Sequence, residues 1–334
     1  MPAAKIAPDP RGAVHARRRL TLLVSLLVLI AVGAFVGFGS SRSEPPAAGS
    51  VSAADHIQRT TSRASAVVPP RPLAHLLVSP PAHRTASWTV VAEVHGQPAA
   101  WLAQRSGVTL MRFDQTLVHL NLHAGSSDGG TVGWTYGNEI TSREIHLLIA
   151  AFNGGFKLSY ANVGFMSNGH VAAPLKPGLA SIVTYTDGAT DIGAWQAGVP
   201  SAHKTVFSVL QNQRLLVDHG AAATSASGCV ISCWGETVGG QTAVARSGLG
   251  VKANGQLVWA AGERLLPSEL AAALLGAGAV RAVELDINPD WVAGYLYPHH
   301  PSGPSPVAVV PGQLGIAGKL LEPDSRDFLA IVAN

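Results

Sequence analysis

The chain has 334 residues, of which 47% are hydrophobic and 13% charged. A core is easily filled, and disorder over the whole length is excluded. The net charge is +3 and the pI near 9.0, but Lys5, Arg11, Arg17, Arg18 and Arg19 against Asp9 concentrate the excess before residue 20. The rest is left at roughly −1 by difference, with no basic stripe to track a phosphate backbone, which excludes nucleic acid as a partner. Two cysteines exclude a disulfide-dense scaffold and a four-thiolate zinc site.

In chain order, residues 1–19 read as a basic cytoplasmic tail. Residues 20–38 carry no charge, and a run of about 20 apolar residues in helix spans a bilayer core. Arg17, Arg18 and Arg19 stand at its start, while Arg42 and Glu44 cancel beyond its end. A transmembrane signal anchor over 20–39 is therefore expected, with the N-terminus cytoplasmic and the remainder extracytoplasmic. A cleaved signal peptide, cut near Ala47–Ala48, is the alternative; its apolar region is usually only about 7–15 residues. Residues 40–86 are rich in Ser, Ala and Pro, with Pro45, Pro46, Pro69, Pro70, Pro72, Pro80 and Pro81, and read as an extended tether.

Residues 87–334 read as one α+β domain, a mixed, largely antiparallel β-sheet core with a few flanking helices. Strands are expected at 88–94, 108–113, 117–122, 181–185, 215–217, 249–251, 257–260, 282–285 and 308–310. The pairs Asn168-Gly169, Asp187-Gly188 and Asn254-Gly255 mark tight turns that need φ > 0. A capping-box pattern, Thr141 with Glu144, predicts a helix carrying Ile145, Leu148 and Ile149. Pro267-Ser268 opens a second, with Leu270, Ala273, Leu274 and Ala277 on one face and Gly276 or Gly278 closing it.

Serine-nucleophile, phosphate-loop, dinucleotide and zinc-protease signatures are missing, so no cofactor and no metal are expected; His299-His300 reads as a loop pair. Cys229 and Cys233 sit in an exported region that permits oxidation and read as a loop-closing disulfide, with a redox pair as the alternative.

Three segments carry chemistry. Asn153-Gly154-Gly155-Phe156 follows an apolar run; paired glycines admit close approach to the main chain, and the Asn153 amide both donates and accepts, as sugar hydroxyls require. An ordinary turn explains it equally. Arg246 precedes Ser247 and the glycines Gly248 and Gly250, and its fork suits phosphate or carboxylate; a surface salt bridge is the alternative. In Ala282–Asp290 alternation puts Glu284 and Asp286 on one strand face about 7 Å apart, with Asp286 near the C-terminal end. A polar outer face is the competing reading.

Together these segments resemble the phosphodiester glycosidase family, which has an N-G-G-F motif, an arginine-bearing strand with a glycine hairpin, a short helix and an L-D-G-G-G-S motif. The resemblance covers about residues 145–334. It departs at the last motif, where Leu285-Asp286 is followed by Ile287-Asn288-Pro289-Asp290. Ile and Pro fill a space that triglycine leaves open, and Pro289 lacks an N–H. The resemblance implies a membrane-anchored bacterial subgroup with a modified pocket, hydrolysing a sugar-1-phosphodiester of a cell-envelope glycan. It makes Asp286 the nucleophile or base and Glu284 its tuning or acidic partner, while Arg246 and Lys176 hold phosphate. Asn153, Gly154, Gly155 and Asn288 complete the substrate-binding set. The substrate glycan, and the bilayer through residues 20–39, are then the partners. A noncatalytic glycan-binding module of the same fold is the main alternative, and a structural partner for a membrane protein a third.

Overall fold

Three large antiparallel sheets arise from short apolar runs separated by the tight turns, and a fourth, two-stranded one pairs His299–His300, expected as a loop, with Gly303–Pro304. The structure is a computed structural model describing residues 87–130, 133–300 and 303–334; the anchor expected at 20–39 and the tether at 40–86 lie outside these. Among the described residues no helix is long and apolar enough to cross a membrane.

The first sheet orders its strands Thr89–Val94, Gln97–Arg105, Val108–Phe113, Leu257–Leu265, Val244–Lys252, Ala279–Glu284, Leu215–Asp218 and Ala221–Ala222. The second runs His170–Ala173, Phe165–Ser167, Val206–Gln211, Ala180–Tyr185 and Thr190–Ala194. The third runs Val307–Ala308, Gly294–Leu296, Leu148–Asn153, Phe328–Ala333 and Val118–His123. Pairing between these strands is antiparallel, so the α+β, largely antiparallel expectation holds for the described residues.

The turn chemistry is met at both residues of Asn168-Gly169, but at Asp187-Gly188 and Asn254-Gly255 only the glycine takes φ > 0. Asn168 and Gly169 have φ of 47° and 76°, joining Phe165–Ser167 to His170–Ala173. Gly255 at φ 84° closes the hairpin of Val244–Lys252 with Leu257–Leu265.

One expected helix is not formed. Thr141 and Glu144 do cap each other: the Thr141 amide and hydroxyl donate to the Glu144 carboxylate, and the Glu144 amide donates to the Thr141 hydroxyl. The coil stops after one turn, and Leu148–Asn153 is a strand, buried throughout. A continuous apolar run suits a strand covered on both faces as well as a helix, and pairing with Gly294–Leu296 and Phe328–Ala333 decides it. The second helix, Pro267–Gly276, forms as expected and buries Leu270, Ala271 and Leu274; Gly278 at φ 95° follows its end.

Side chains of all three sheets meet in one core, including Met111, Leu120, Phe152, Ile182, Leu210, Trp259 and Ile331. Phe152 stacks between Phe113 and Trp259, with centroid separations of 6.3 and 5.3 Å. The glycines of the arginine-bearing strand serve packing. A Cβ on Gly248 would meet Leu270 and Leu274 at 3.3 and 3.2 Å, and one on Gly250 would meet the Ala279 Cβ at 2.8 Å. Gly250→Ala is therefore expected to cost about 1–3 kcal/mol by overpacking, read as a lower urea midpoint at an unchanged slope.

Candidate active site

The residues that matter are brought together where strands of the first and third sheets end. Phe328 pairs with Asn153 and with His123. Arg326 and Asp327, just before Phe328–Ala333, therefore lie beside Gly154 and Gly155, just after its neighbour Leu148–Asn153. From the other neighbour the chain runs to Asp128, whose amide and that of Ser127 donate to the Ser325 carbonyl. The first sheet contributes Asp286, two residues past the strand Ala279–Glu284. Asn153 ties the two sheets: its amide donates to the Ser247 hydroxyl at 2.8 Å, and the Ser247 N–H donates to the Asp286 carbonyl at 3.1 Å.

The centre is the Arg326 guanidinium. It pairs with Asp128 through Nε, and through Nη2 donates to Asp286 Oδ2 at 3.1 Å and the Gly155 carbonyl at 2.8 Å. Burial opposes its charge, but Asp286, Asp327 and Asp128 together hold it firmly protonated. Asp286 Oδ1 accepts the amides of Ile287 and Asn288 at 2.7 and 2.9 Å. Burial raises the Asp286 carboxyl above its ordinary range, and Arg326 and those amides pull it back. Asp327 accepts the Gly155 N–H at 3.0 Å, its other oxygen is buried without a partner, and burial pushes it up to about 7. Trp291 lies against two cations, with Lys319 Nζ 4.2 Å and Arg326 Cζ 5.2 Å from the ring centroid.

Asp286 and Arg326 line a cleft of about 780 Å³ together with Lys157, Tyr160, Ile287 and Trp291. Behind Asp286 is a void of about 20 Å³ lined by Asn153, Gly154, Gly155, Asp327 and Tyr295 among others. The arrangement offers a carboxylate and a guanidinium at one floor, and aromatic rings that suit a sugar face.

The expected set is thus divided. Asp286 and Asn288 line the cleft, and Asn153, Gly154 and Gly155 line the void behind it. Asn153 is committed internally, donating to Gly154 and Ser247 and accepting from Ala293. Gly154 has no Cβ because the Asp327 carboxylate and carbonyl occupy that space, so its close approach is to protein rather than ligand. Glu284 and Arg246 do not line the cleft. Arg246 is fully buried, with Nη1 2.7 Å from Glu284 Oε1 and further bonds to the carbonyls of Leu265, Trp234 and Thr242. Burial raises the Glu284 carboxyl, and Arg246 opposes it. These two polar groups, on adjacent strands, face each other because no solvent reaches them. Lys176 also lies away from the cleft, its ammonium on the Asn162 carbonyl and side chain. Cys229 and Cys233 form the loop-closing disulfide.

Arg326, Asp327, Asp128, Lys157 and Trp291 are not in the set that the motifs suggest. The available signal was Asp324-Ser325-Arg326-Asp327 directly before the apolar run Phe328–Val332, a charged quartet at a strand end that reads equally as a solvated turn.

Comparison with known proteins gives no family model and no curated protein that matches. Among solved structures, the catalytic domain of zebrafish N-acetylglucosamine-1-phosphodiester alpha-N-acetylglucosaminidase, auto-inhibited by its pro-peptide, is similar at 13% identity. It covers 75% of this chain and 88% of that one, with a TM-score of 0.45. A hypothetical protein from Synechocystis is similar at 13% identity over 72% of this chain and 63% of that one, with a TM-score of 0.42. Superpositions this loose carry no weight for activity.

Two outcomes check the site's electrostatics. Glu284→Ala leaves Arg246 buried and unpaired and is expected to cost about 3–5 kcal/mol, while the double variant Arg246→Met with Glu284→Leu recovers most of it; denaturant unfolding of the wild type and the two variants reads this. For Asp327, the ordinary value 3.8 rises to about 7 in the fold. The folded state therefore binds the extra proton between those values. That stability is fully present below about 3.8, falls as pH rises through the window, and is gone above about 7. Asp327→Asn, which still accepts the Gly155 N–H, should flatten the thermal midpoint against pH there.

Proposed function

We propose that the chain is a hydrolase of a sugar-1-phosphodiester, held outside the cytoplasmic membrane by residues 20–39 and acting on an envelope glycan. The observation that carries this reading is the Asp286 carboxylate 3.1 Å from the Arg326 guanidinium at the floor of the cleft. The ordered motifs around Asn153, Arg246 and Leu285-Asp286 add the family resemblance, and the Cys229–Cys233 disulfide is in keeping with export.

Cleavage at the anomeric carbon breaks the C1–O bond, adds water to the sugar and releases a phosphate monoester. That leaving group is a weak base, so strong general-acid help is dispensable. The transition state needs a cation at the phosphate and an anion near the developing oxocarbenium ion. Arg326 takes the role first given to Arg246, and Lys157 that of Lys176. Asp286 Oδ1 is pinned by two amides, leaving Oδ2 to face C1 or an attacking water once the guanidinium shifts toward phosphate. Glu284 acts from behind, as the counter-charge that keeps Arg246 and the strand end in place.

A noncatalytic glycan-binding module is the second reading, favoured by the Asp286 carboxylate being only 4% exposed and bonded at both oxygens. Asp286→Asn separates the two. Loss of sugar release from a glycosyl-1-phosphodiester by about 10³-fold or more, with the thermal transition retained, is expected for a hydrolase. Glycan binding by the wild-type chain, with no product over long incubation, selects the module.

A further inference from the structure

The cleft has a second character that the hydrolytic chemistry does not use. Phe156, Tyr160, Ala161, Ile231 and Ile287 line it together with the charged floor, and they come from three separate stretches of chain. Two of these apolar surfaces adjoin: a Cβ on Gly235 would lie 2.5 Å from Ile287 Cδ1 and 3.2 Å from Phe156 Cζ, so Ile287 and Phe156 converge where Gly235 leaves room. Ile231 lies within the turn of helix Val230–Trp234 that the Cys229–Cys233 disulfide closes. Tyr160 is 83% exposed, the most exposed of the large hydrophobic side chains among the described residues, and the Lys157 ammonium stands 5.2 Å from its ring centroid. Alone such an aromatic needs no explanation, but it lines the same cleft as Phe156, Ile231 and Ile287, and grouped apolar surface marks a binding site.

Ile287 is the decisive residue. It follows Asp286 directly, and its own amide is spent on the Asp286 carboxylate, so it offers the ligand a branched hydrocarbon and no donor. Gln213, Ser232, Glu236 and Asn288 also line the cleft, but a sugar hydroxyl facing Ile287 itself would meet hydrocarbon where it needs a partner, which is costly. A hydrocarbon chain meets what it needs, and the two cations lining the same cleft, Arg326 and Lys157, complement a phosphate at the head of that chain.

We infer that the cleft is built for an alkyl phosphoester: the phosphate lies toward Arg326 and Lys157, and the ester chain runs along the wall of Phe156, Tyr160, Ala161, Ile231 and Ile287. This rests on the hydrolase reading for the direction of the sugar, and names the aglycone as apolar and lipid-like rather than a further sugar.

The test uses the full chain in lipid nanodiscs and measures, by calorimetric titration, the affinities of methyl, hexyl and glycerol phosphates, with empty nanodiscs as the blank. Hexyl phosphate is expected to bind about ten-fold or more tightly than methyl phosphate, since each methylene buried on the wall adds affinity, and glycerol phosphate to resemble methyl phosphate. Tyr160→Ser, at an exposed position, and Ile231→Ser should each reduce the hexyl preference by at least about three-fold with the thermal midpoint little changed. Equal affinities of hexyl and methyl phosphate, tighter binding of glycerol phosphate, or a preference untouched by both substitutions overturns the inference. Turnover is scored separately on methyl and hexyl esters of the sugar-1-phosphate. Hydrolysis of both at equal kcat/KM sinks the apolar wall and spares the hydrolase. Preference for hexyl phosphate with neither ester hydrolysed spares the wall and sinks the hydrolase.

Discussion

Everything at the site hangs on one guanidinium. Arg326 is nearly buried, and a buried cation is tolerated where anions and carbonyls surround it. Asp128, Asp286 and the Gly155 carbonyl come from three distant stretches. Holding them in place is what fixes the loop after the third sheet's edge strand, the loop after its inner strand and the loop after the first sheet's strand. The same constraint explains Gly154, whose missing side chain makes room for Asp327.

The site carries an excess of carboxylate, three acids around one arginine, and dissipates it by unequal environments. Asp128 is paired, Asp286 is held by two amides and the guanidinium, and Asp327, with one oxygen bare, is pushed up to about 7. The three carboxylates thus sit in different environments around one cation. A second ion pair, Arg246 with Glu284, lies buried away from the cleft and closes on itself. It resembles catalytic machinery in sequence, because an acid alternating with apolar residues on a strand looks the same whether its face meets solvent or another side chain.

Much of the architecture was legible beforehand. Local rules carried the strands around Val108–Phe113, Ala180–Tyr185 and Leu257–Leu265, the Asn-Gly turns, the helix Pro267–Gly276 and the disulfide, since each depends on residues close in sequence. Leu148–Asn153 misled because its capping box is real and its apolar run has no period that separates helix from strand. Asp286 and the Asn153-Gly154-Gly155 turn were also legible, as a polar group or glycine at the end of an apolar run.

The amino-acid order by itself determined the largely antiparallel pairing of the described residues and the position of Asp286 at a strand end, because strand period and turn residues are local properties. Only the tertiary structure decided which arginine confronts that acid. Arg246 and Arg326 are both followed by polar residues and both near glycines in space, and nothing in their neighbours along the chain says which will be sealed in a core and which will reach a cleft. That outcome depends on how strands more than a hundred residues apart stack, and on the requirement that each buried charge find its partner there.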